Sequence, residues 1–278
     1  MGEGSTSLQL LNYIQRDRLF QEEKPYIATF DTSKFGWPET NFQFIAQNIH
    51  CHHVEDFRDK LNLDINGFQF FEKTTQLLPS DFEDEEIIIS RYYPEVIDFV
   101  KKARPNATHI DIVSHSRRDS SIREGMVVPG SLYRPVSDVH ADFTPGGSST
   151  FLKTYLHNNP EYRGLPYEII NAWRVTEGPT QNWPLALCDY QSISVPEDLE
   201  QADIIHPSSV GEQMLLYWNP KHQWYFLREQ RVEDLILLRQ TDSRGTQIPF
   251  AAHASFENLN HREQPRKSIE VRIVCFYE

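Results

Sequence analysis

Ser268-Ile269-Glu270-Val271-Arg272-Ile273-Val274-Cys275-Phe276-Tyr277 closes the sequence as a run of ten residues, mostly apolar, with charge only at alternate positions. It is the last of a series. From residue 108 onward short apolar or alternating runs follow one another, separated by Gly, Pro, Asn and Asp. They are HIDIVSH (109–115), GSLYRPV (130–136), YEIINAWRV (167–175), LALCDY (185–190), QMLLYWN (213–219), WYFLR (224–228), DLILLRQ (234–240) and PFAAHASF (249–256). Runs this short, at this spacing, are strands of a β-sandwich or barrel. Trp173, Trp218 and Trp224 are expected to supply bulk to its core.

Upstream the pattern is mixed. Residues 1–50 read as a loose tail followed by short strands near 26–30 and 42–45. Residues 50–53, His-Cys-His-His, put four metal-ligating side chains in a row, but neighbours in sequence cannot all face one ion. A solvated turn entering a helix is expected there. Val54, Phe57 and Leu61 follow at helical spacing, 65–71 reads as a strand, and the acidic run 81–86 as a solvated helix start. Residues 94–102 read as a helix, with Pro94 in the first turn and Lys101 and Lys102 in the last. The expectation is therefore a mainly β fold with flanking helices in one domain, 1–278. Residues 1–105 form an N-terminal helical and strand extension, and 106–278 the β core.

The chain has 278 residues, 39% hydrophobic and 24% charged, with a net charge of −13. Such a charge argues against nucleic-acid and anionic-membrane surfaces, which want clustered Lys and Arg. Cys51, Cys188 and Cys275 are odd in number and far apart, so a reducing compartment is expected. No 18-residue apolar run occurs, and a cytoplasmic protein with a small-molecule partner is the reading.

Asp138-Val139-His140-Ala141-Asp142, followed by Phe143-Thr144-Pro145-Gly146-Gly147, carries the chemistry. On a strand, residues i and i+2 share a face. His140 and Asp142 can then aim a ring nitrogen and a carboxylate oxygen at one point. A histidine from another strand would complete the two-histidine, one-carboxylate set that holds Fe(II) and leaves positions open. His253 fits, flanked by Ala251, Ala252 and Ala254, whose small side chains leave room beside the ring. Thirteen residues on come Arg266 and Ser268, again on one strand face. A guanidinium with a hydroxyl beside it suits a carboxylate. Arg272, on the same face by parity, is the reserve candidate.

The order H-x-D, distant His, R-x-S resembles the Fe(II)/2-oxoglutarate oxygenases on double-stranded β-helix (jelly-roll, cupin-like) folds. The resemblance extends to the largely fungal family named for gibberellin desaturase and the cephalosporin 7α-methoxylation protein, the AsaB-type hydroxylase/desaturases. Its landmarks recur in order: Asn66-Gly67-Phe68; Tyr93-Pro94-Glu95; His115 with Arg117; His140-Ala141-Asp142; Asn171-Ala172-Trp173-Arg174; Pro184 through Asp189; Trp224-Tyr225-Phe226; Asp242-Ser243; His253 with Phe256; and Pro265 through Arg272. Val175 and Ala252 stand where the family usually has Pro. The resemblance implies Fe(II) on His140, Asp142 and His253, and 2-oxoglutarate anchored by Arg266 and Ser268. It also implies O2 as oxidant, and hydroxylation, desaturation or ring closure of a small metabolite in secondary metabolism. Asn171 and Arg174 would line the substrate pocket.

Other readings remain open. His109-Ile110-Asp111 is a second H-x-D. His206, His222 and His261 lie in loop-like contexts and are expected at the surface. A non-catalytic jelly-roll partner of another enzyme would keep the fold without turnover. A zinc-dependent hydrolase would use the same donor types with a general base nearby. A methyltransferase has little support, because the only G-x-G is Gly2-Glu3-Gly4 with no strand before it.

Overall fold

Two facing β-sheets build the protein in its computed structural model, which describes residues 5–123, 132–262 and 264–278. Gly2-Glu3-Gly4, and Gly130 and Ser131 of one expected strand, lie outside the described residues. In chain order the strands are β1 Thr6–Ile14, β2 Tyr26–Ala28, β3 Phe44–His53, β4 Phe68–Glu72 and β5 His109–Asp119. Next come β6 Leu132–Tyr133, β7 His140–Ala141, β8 Tyr167–Val175, β9 Leu185–Cys188 and β10 Leu199–Ile205. The last are β11 Val210–Leu216, β12 Trp224–Phe226, β13 Asp234–Asp242, β14 His253–Ser255 and β15 Lys267–Phe276. One sheet runs β1-β3-β12-β9-β14-β7-β11-β10-β2 and the other β4-β13-β8-β15-β5-β6. From β7 to β9, and again from β13 to β15, the chain alternates between sheets, the winding of a jelly roll.

The central strands of each sheet are buried on both faces, and the ends of the larger sheet keep exposed positions such as Leu8 and Leu10. The larger one curls until β1 meets the segment before β7. Asn12 pairs with Asp138, and Val139 N donates to Asn12 O at 2.8 Å. Inside the curl, Leu11, Tyr13, Cys51 and Trp224 pack on Ala141, Ala252 and Ala254. Ala252 and Ala254 therefore face the curl, where a second core presses, while Ala251 lies between the sheets. Between the sheets lie Trp173, Val175, Leu187, Tyr225 and Leu238. On the outer face of the smaller sheet, the helix Tyr93–Ala103 sets Val96 and Val100 on Ala172, Ile269 and Val271. A strand buried on both sides reads as an unbroken apolar run, which is why β8 and β15 stand out in the sequence.

Several expectations change. Residues 50–53 are not a turn but the end of β3, paired with β1 and β12. Cys51 and His53 are buried there, so the polar cluster is a strand with alternating faces. Residues 54–63 form two 3-10 turns, Val54–Asp56 and Arg58–Lys60, which still deliver Val54 and Leu61 to the core. The segment expected as a loose tail contains β1. Trp218 is 42% exposed and adds no core bulk.

Gly67 ends a short helix with φ +86° and sits under β14's approach, where an added Cβ would lie 2.3 Å from the carbonyl oxygen of Phe250. Gly36 has φ +73° with nothing within 4 Å. Gly36→Ala should lose about 1–2 kcal/mol, the left-handed penalty alone. Gly67→Ala should lose that and about 1–3 kcal/mol more from overpacking. Urea unfolding of the two variants side by side checks the difference; equal losses would refute it.

Candidate metal centre

β7 and β14 are neighbours in the larger sheet, with His140 directly opposite His253. Cross-strand partners in an antiparallel pair point the same way with Cβ atoms about 5 Å apart. The two rings accordingly sit with centroids 4.5 Å apart. Asp142 lies in the bend just after β7 and turns its carboxylate to the same side. Its Oδ1 is 3.5 Å from His140 Nε2 and 3.8 Å from His253 Nε2. One ligand atom from each of the three residues lies within 4.8 Å of the others.

Neighbouring groups set each donor's orientation. His140 Nδ1 donates to the carbonyl of Asp138 at 2.7 Å, and His253 Nδ1 to the carbonyl of Ala251 at 3.1 Å. Both hydrogens are thus committed to the backbone, and both Nε2 lone pairs face the centre. The second carboxylate oxygen of Asp142 accepts from Asn171 Nδ2 at 2.9 Å and from Arg272 Nη2 at 2.5 Å. Arg272 also reaches Glu270 at 3.2 Å and lies over the rings of Phe143 and Phe151. Asp142 is thereby held from β8 and β15, the opposite sheet.

The electrostatics favour a cation. Burial and then His140 push His253 down to about 4, so its imidazole is neutral at ordinary pH. Burial opposes ionisation of Asp142, but Arg272, with help from the histidines, holds it well below the usual carboxylate range. Burial also opposes charge on His140, yet the bond to Asp142 raises its pKa. An ionised carboxylate and two imidazoles on one side of a point are the donor set of a facial iron site.

Further along the same interior face, Arg266 and Ser268 are 1% and 2% exposed. Arg266 Nη1 donates to Trp183 O at 2.6 Å and to Ser255 Oγ at 2.9 Å. Ser255 is two residues from His253 on β14, so it shares that face. Arg266 Nε and Nη2, and Ser268 Oγ, have no hydrogen-bond partner among the described residues. Burial and then Arg118 push this guanidinium down to about 9. A buried cation and hydroxyl with unspent donors mark a place for an anion.

Other residues singled out in the sequence fall elsewhere. Arg174 is three positions from Asn171 on β8 and faces the opposite side, donating to Val232 O at 3.3 Å beneath Tyr92. His109 is held by the hydroxyls of Tyr155 and Tyr162, and Asp111 by Tyr155, so this H-x-D is a hydrogen-bonded cluster. His222 is not at the surface: it is bonded to buried Asp198 at 3.1 Å. His206 is exposed but lines a cavity of about 550 Å³ with His140, Asp142, Phe143, Phe151 and Val210. Arg118 and Gln240, whose Oε1 accepts from Asp142 N at 2.9 Å, were not singled out by any motif, and Glu270 was quoted only within the run Pro265 through Arg272. Parity along β15 would have flagged Glu270, whereas Arg118 emerges only from the register of β5 against β15.

Residues 11–276 match the family described as oxidoreductase/YMDC permease-like domain, and the chain belongs to that family. Among relatives, it is similar to the Fe(II)/2-oxoglutarate-dependent dioxygenase nvfI of Aspergillus novofumigatus. The identity is 26% over 274 residues, covering 95% of this chain and 94% of that one. It is 26% identical over 267 residues to the hydroxylase/desaturase efuI of Hormonema carpetanum, covering 86% of each. The gibberellin cluster GA4 desaturase of Gibberella fujikuroi is 21% identical over 296 residues, covering 81% of this chain and 86% of that one. A solved structure of the iron and alpha-ketoglutarate-dependent endoperoxidase NvfI shares the fold, with a TM-score of 0.83 over 98% of each chain at 23% identity.

Replacing His140, Asp142 or His253 by Ala should each abolish stoichiometric Fe(II) binding while the protein stays folded. His109→Ala should keep it. Asn171→Ala and Arg272→Ala should weaken metal affinity by about 10–100-fold, as loss of ligand-orienting groups does. Anaerobic metal titration checks all six; unchanged affinity in His253→Ala would move the site.

Proposed function

We propose that the protein oxidises a small metabolite with O2, using Fe(II) held by His140, Asp142 and His253 and 2-oxoglutarate held by Arg266 and Ser268. The enzyme is a non-haem Fe(II)/2-oxoglutarate-dependent dioxygenase on a jelly-roll fold, acting in secondary metabolism as its fungal relatives do. The observation that carries the reading is the pairing of a facial donor set with an orphaned, buried guanidinium and hydroxyl on the same interior face. When bound, iron would activate O2, the oxidant, with two of the electrons drawn from the 2-oxoacid. The chain positions the iron and the 2-oxoacid, excludes water and orients the substrate.

Arg266 is preferred to Arg272 as the distal-carboxylate anchor because Arg272 is already spent on Asp142 and Glu270. Asn171 acts by orienting Asp142 rather than by meeting substrate. The cavity above the metal centre receives the substrate. Phe143, Phe151, Ile204 and Val210 give it apolar walls, and Thr150 and Gln213 neutral polar groups. Within the family, the run Asn171-Ala172-Trp173-Arg174 and the likeness to efuI and the GA4 desaturase support the AsaB-type hydroxylase/desaturase branch. The strands of 1–105 enter both sheets, which supports a single oxygenase domain over 1–278. A cytoplasmic setting is supported by three free, buried cysteines. Among the described residues no helix is long and apolar enough to cross a membrane. A partner of nucleic acid is disfavoured by the net charge of −13.

Succinate formation from 2-oxoglutarate should require Fe(II) and rise when the correct metabolite is added. Arg266→Ala should raise the KM for 2-oxoglutarate at least about tenfold, since a charged hydrogen bond contributes roughly 1.5–3 kcal/mol. Ser268→Ala should act in the same direction and less. No Fe(II)-dependent succinate under any substrate would favour the non-catalytic partner. Zinc-dependent ester or amide cleavage indifferent to 2-oxoglutarate would favour the hydrolase.

A further inference from the structure

Arg118 belongs to no motif, yet it stands where two cavities meet. It lines the cavity of about 550 Å³ above His140 and Asp142. It also lines a second one, of about 290 Å³, that reaches Ser268 with Arg117, Thr176 and Lys267. Among the described lining residues no other is common to both. On β5 it is opposite Ser268 of β15, so its side chain shares the interior face with Ser268, Glu270 and Arg272. Its Nη1 donates to the carbonyl of Arg134 at 2.6 Å, and its guanidinium carbon is 5.9 Å from the Tyr133 ring centroid. These contacts fix the group in place.

The charge balance of this interior is uneven. Arg272 is matched by Asp142 and Glu270. Among the described residues neither Arg118 nor Arg266 has a carboxylate within ion-pair distance, although Lys267 next to them has two, Glu83 and Glu177. The positive charge of Arg118 acts on His140 and His253 at one end and on Arg266 at the other, with the Glu270 carboxylate between them acting on both arginines without a direct ion pair to either. Arg118 therefore lies between the metal centre and the distal anchor. Two guanidinium groups that make no direct ion pair among the described residues, one deep and one near the metal ligands, are complementary to a ligand with two carboxylates.

We infer that Arg118 binds the metal-side carboxylate of 2-oxoglutarate, so that the dicarboxylate is held by one arginine at each end. The inference rests on the function proposed above. It gives Arg118 a second consequence: the group that fixes the co-substrate also forms part of the wall of the substrate cavity, so the two ligands meet across one side chain.

The test separates the two ends of the ligand. Anaerobic Fe(II) protein is titrated with 2-oxoglutarate and with 2-oxopentanoate, which has the same chain length and lacks the distal carboxylate. Visible absorption of the 2-oxoacid chelate is followed. Arg118→Gln should weaken both ligands by at least about tenfold, the loss expected for a charge-assisted hydrogen bond. Arg266→Gln should weaken 2-oxoglutarate and leave 2-oxopentanoate unchanged. If Arg118→Gln fails to hold iron, Arg118→Lys carries the same comparison, because it keeps the charge and lacks the planar array of donors. Wild-type affinity for both ligands in the Arg118 variant overturns the inference. So does a loss confined to 2-oxoglutarate, which would place Arg118 at the distal end. Wild-type protein that binds Fe(II) but neither 2-oxoacid would instead overturn the proposed function itself.

Discussion

The carboxylate of Asp142 faces two ways, and the site depends on that division. One oxygen looks at two imidazoles from the larger sheet. The other is held by Asn171 and Arg272 from the smaller one. Stranding a buried charge by removing its partner costs about 3–5 kcal/mol. Asp142 therefore needs the opposite sheet in place to stay ionised and aimed. The metal centre is a property of the closed sandwich and not of the H-x-D segment alone.

This explains why the central strands of both sheets are buried on both faces. β7 and β14 are very short, two and three residues. The curl packs Ala141 and Ala254 on their far side, while Asn171 of β8 and Arg272 of β15 hold the adjoining Asp142 on the near side. The same closure removes water from Arg266 and Ser268. In a dry site a guanidinium binds an anion more strongly than in water and suffers more without one. The helix Tyr93–Ala103 backs the smaller sheet from outside. It reaches the chemistry only through the rigidity it lends to β8 and β15.

Much of this was legible in the sequence, for identifiable reasons. β8 was read with its observed limits, because a strand buried on both faces is a continuous apolar run. The pairs His140/Asp142 and Arg266/Ser268 stood out because i and i+2 spacing on strands is readable without coordinates, and His253 through its alanine neighbours and its place in the family order. Residues 50–53 were misread because a strand with polar side chains on its outer face looks like a turn. β1 was missed because Leu8 and Leu10 are exposed while Leu11 and Tyr13 are buried, which blurs the alternation. Arg174 was misassigned against a rule already in hand: three residues from Asn171 on one strand, it must face the other way. Arg118 required strand register, which no single sequence displays.

Diffraction at the iron edge from crystals grown anaerobically with Fe(II) and 2-oxoglutarate tests the central claim most directly. The account predicts one anomalous peak bounded by His140 Nε2, Asp142 Oδ1 and His253 Nε2, with a dicarboxylate running from it to Arg266. A peak on His109 and Asp111, or a dicarboxylate seated on Arg272 with Asp142 released, would contradict it.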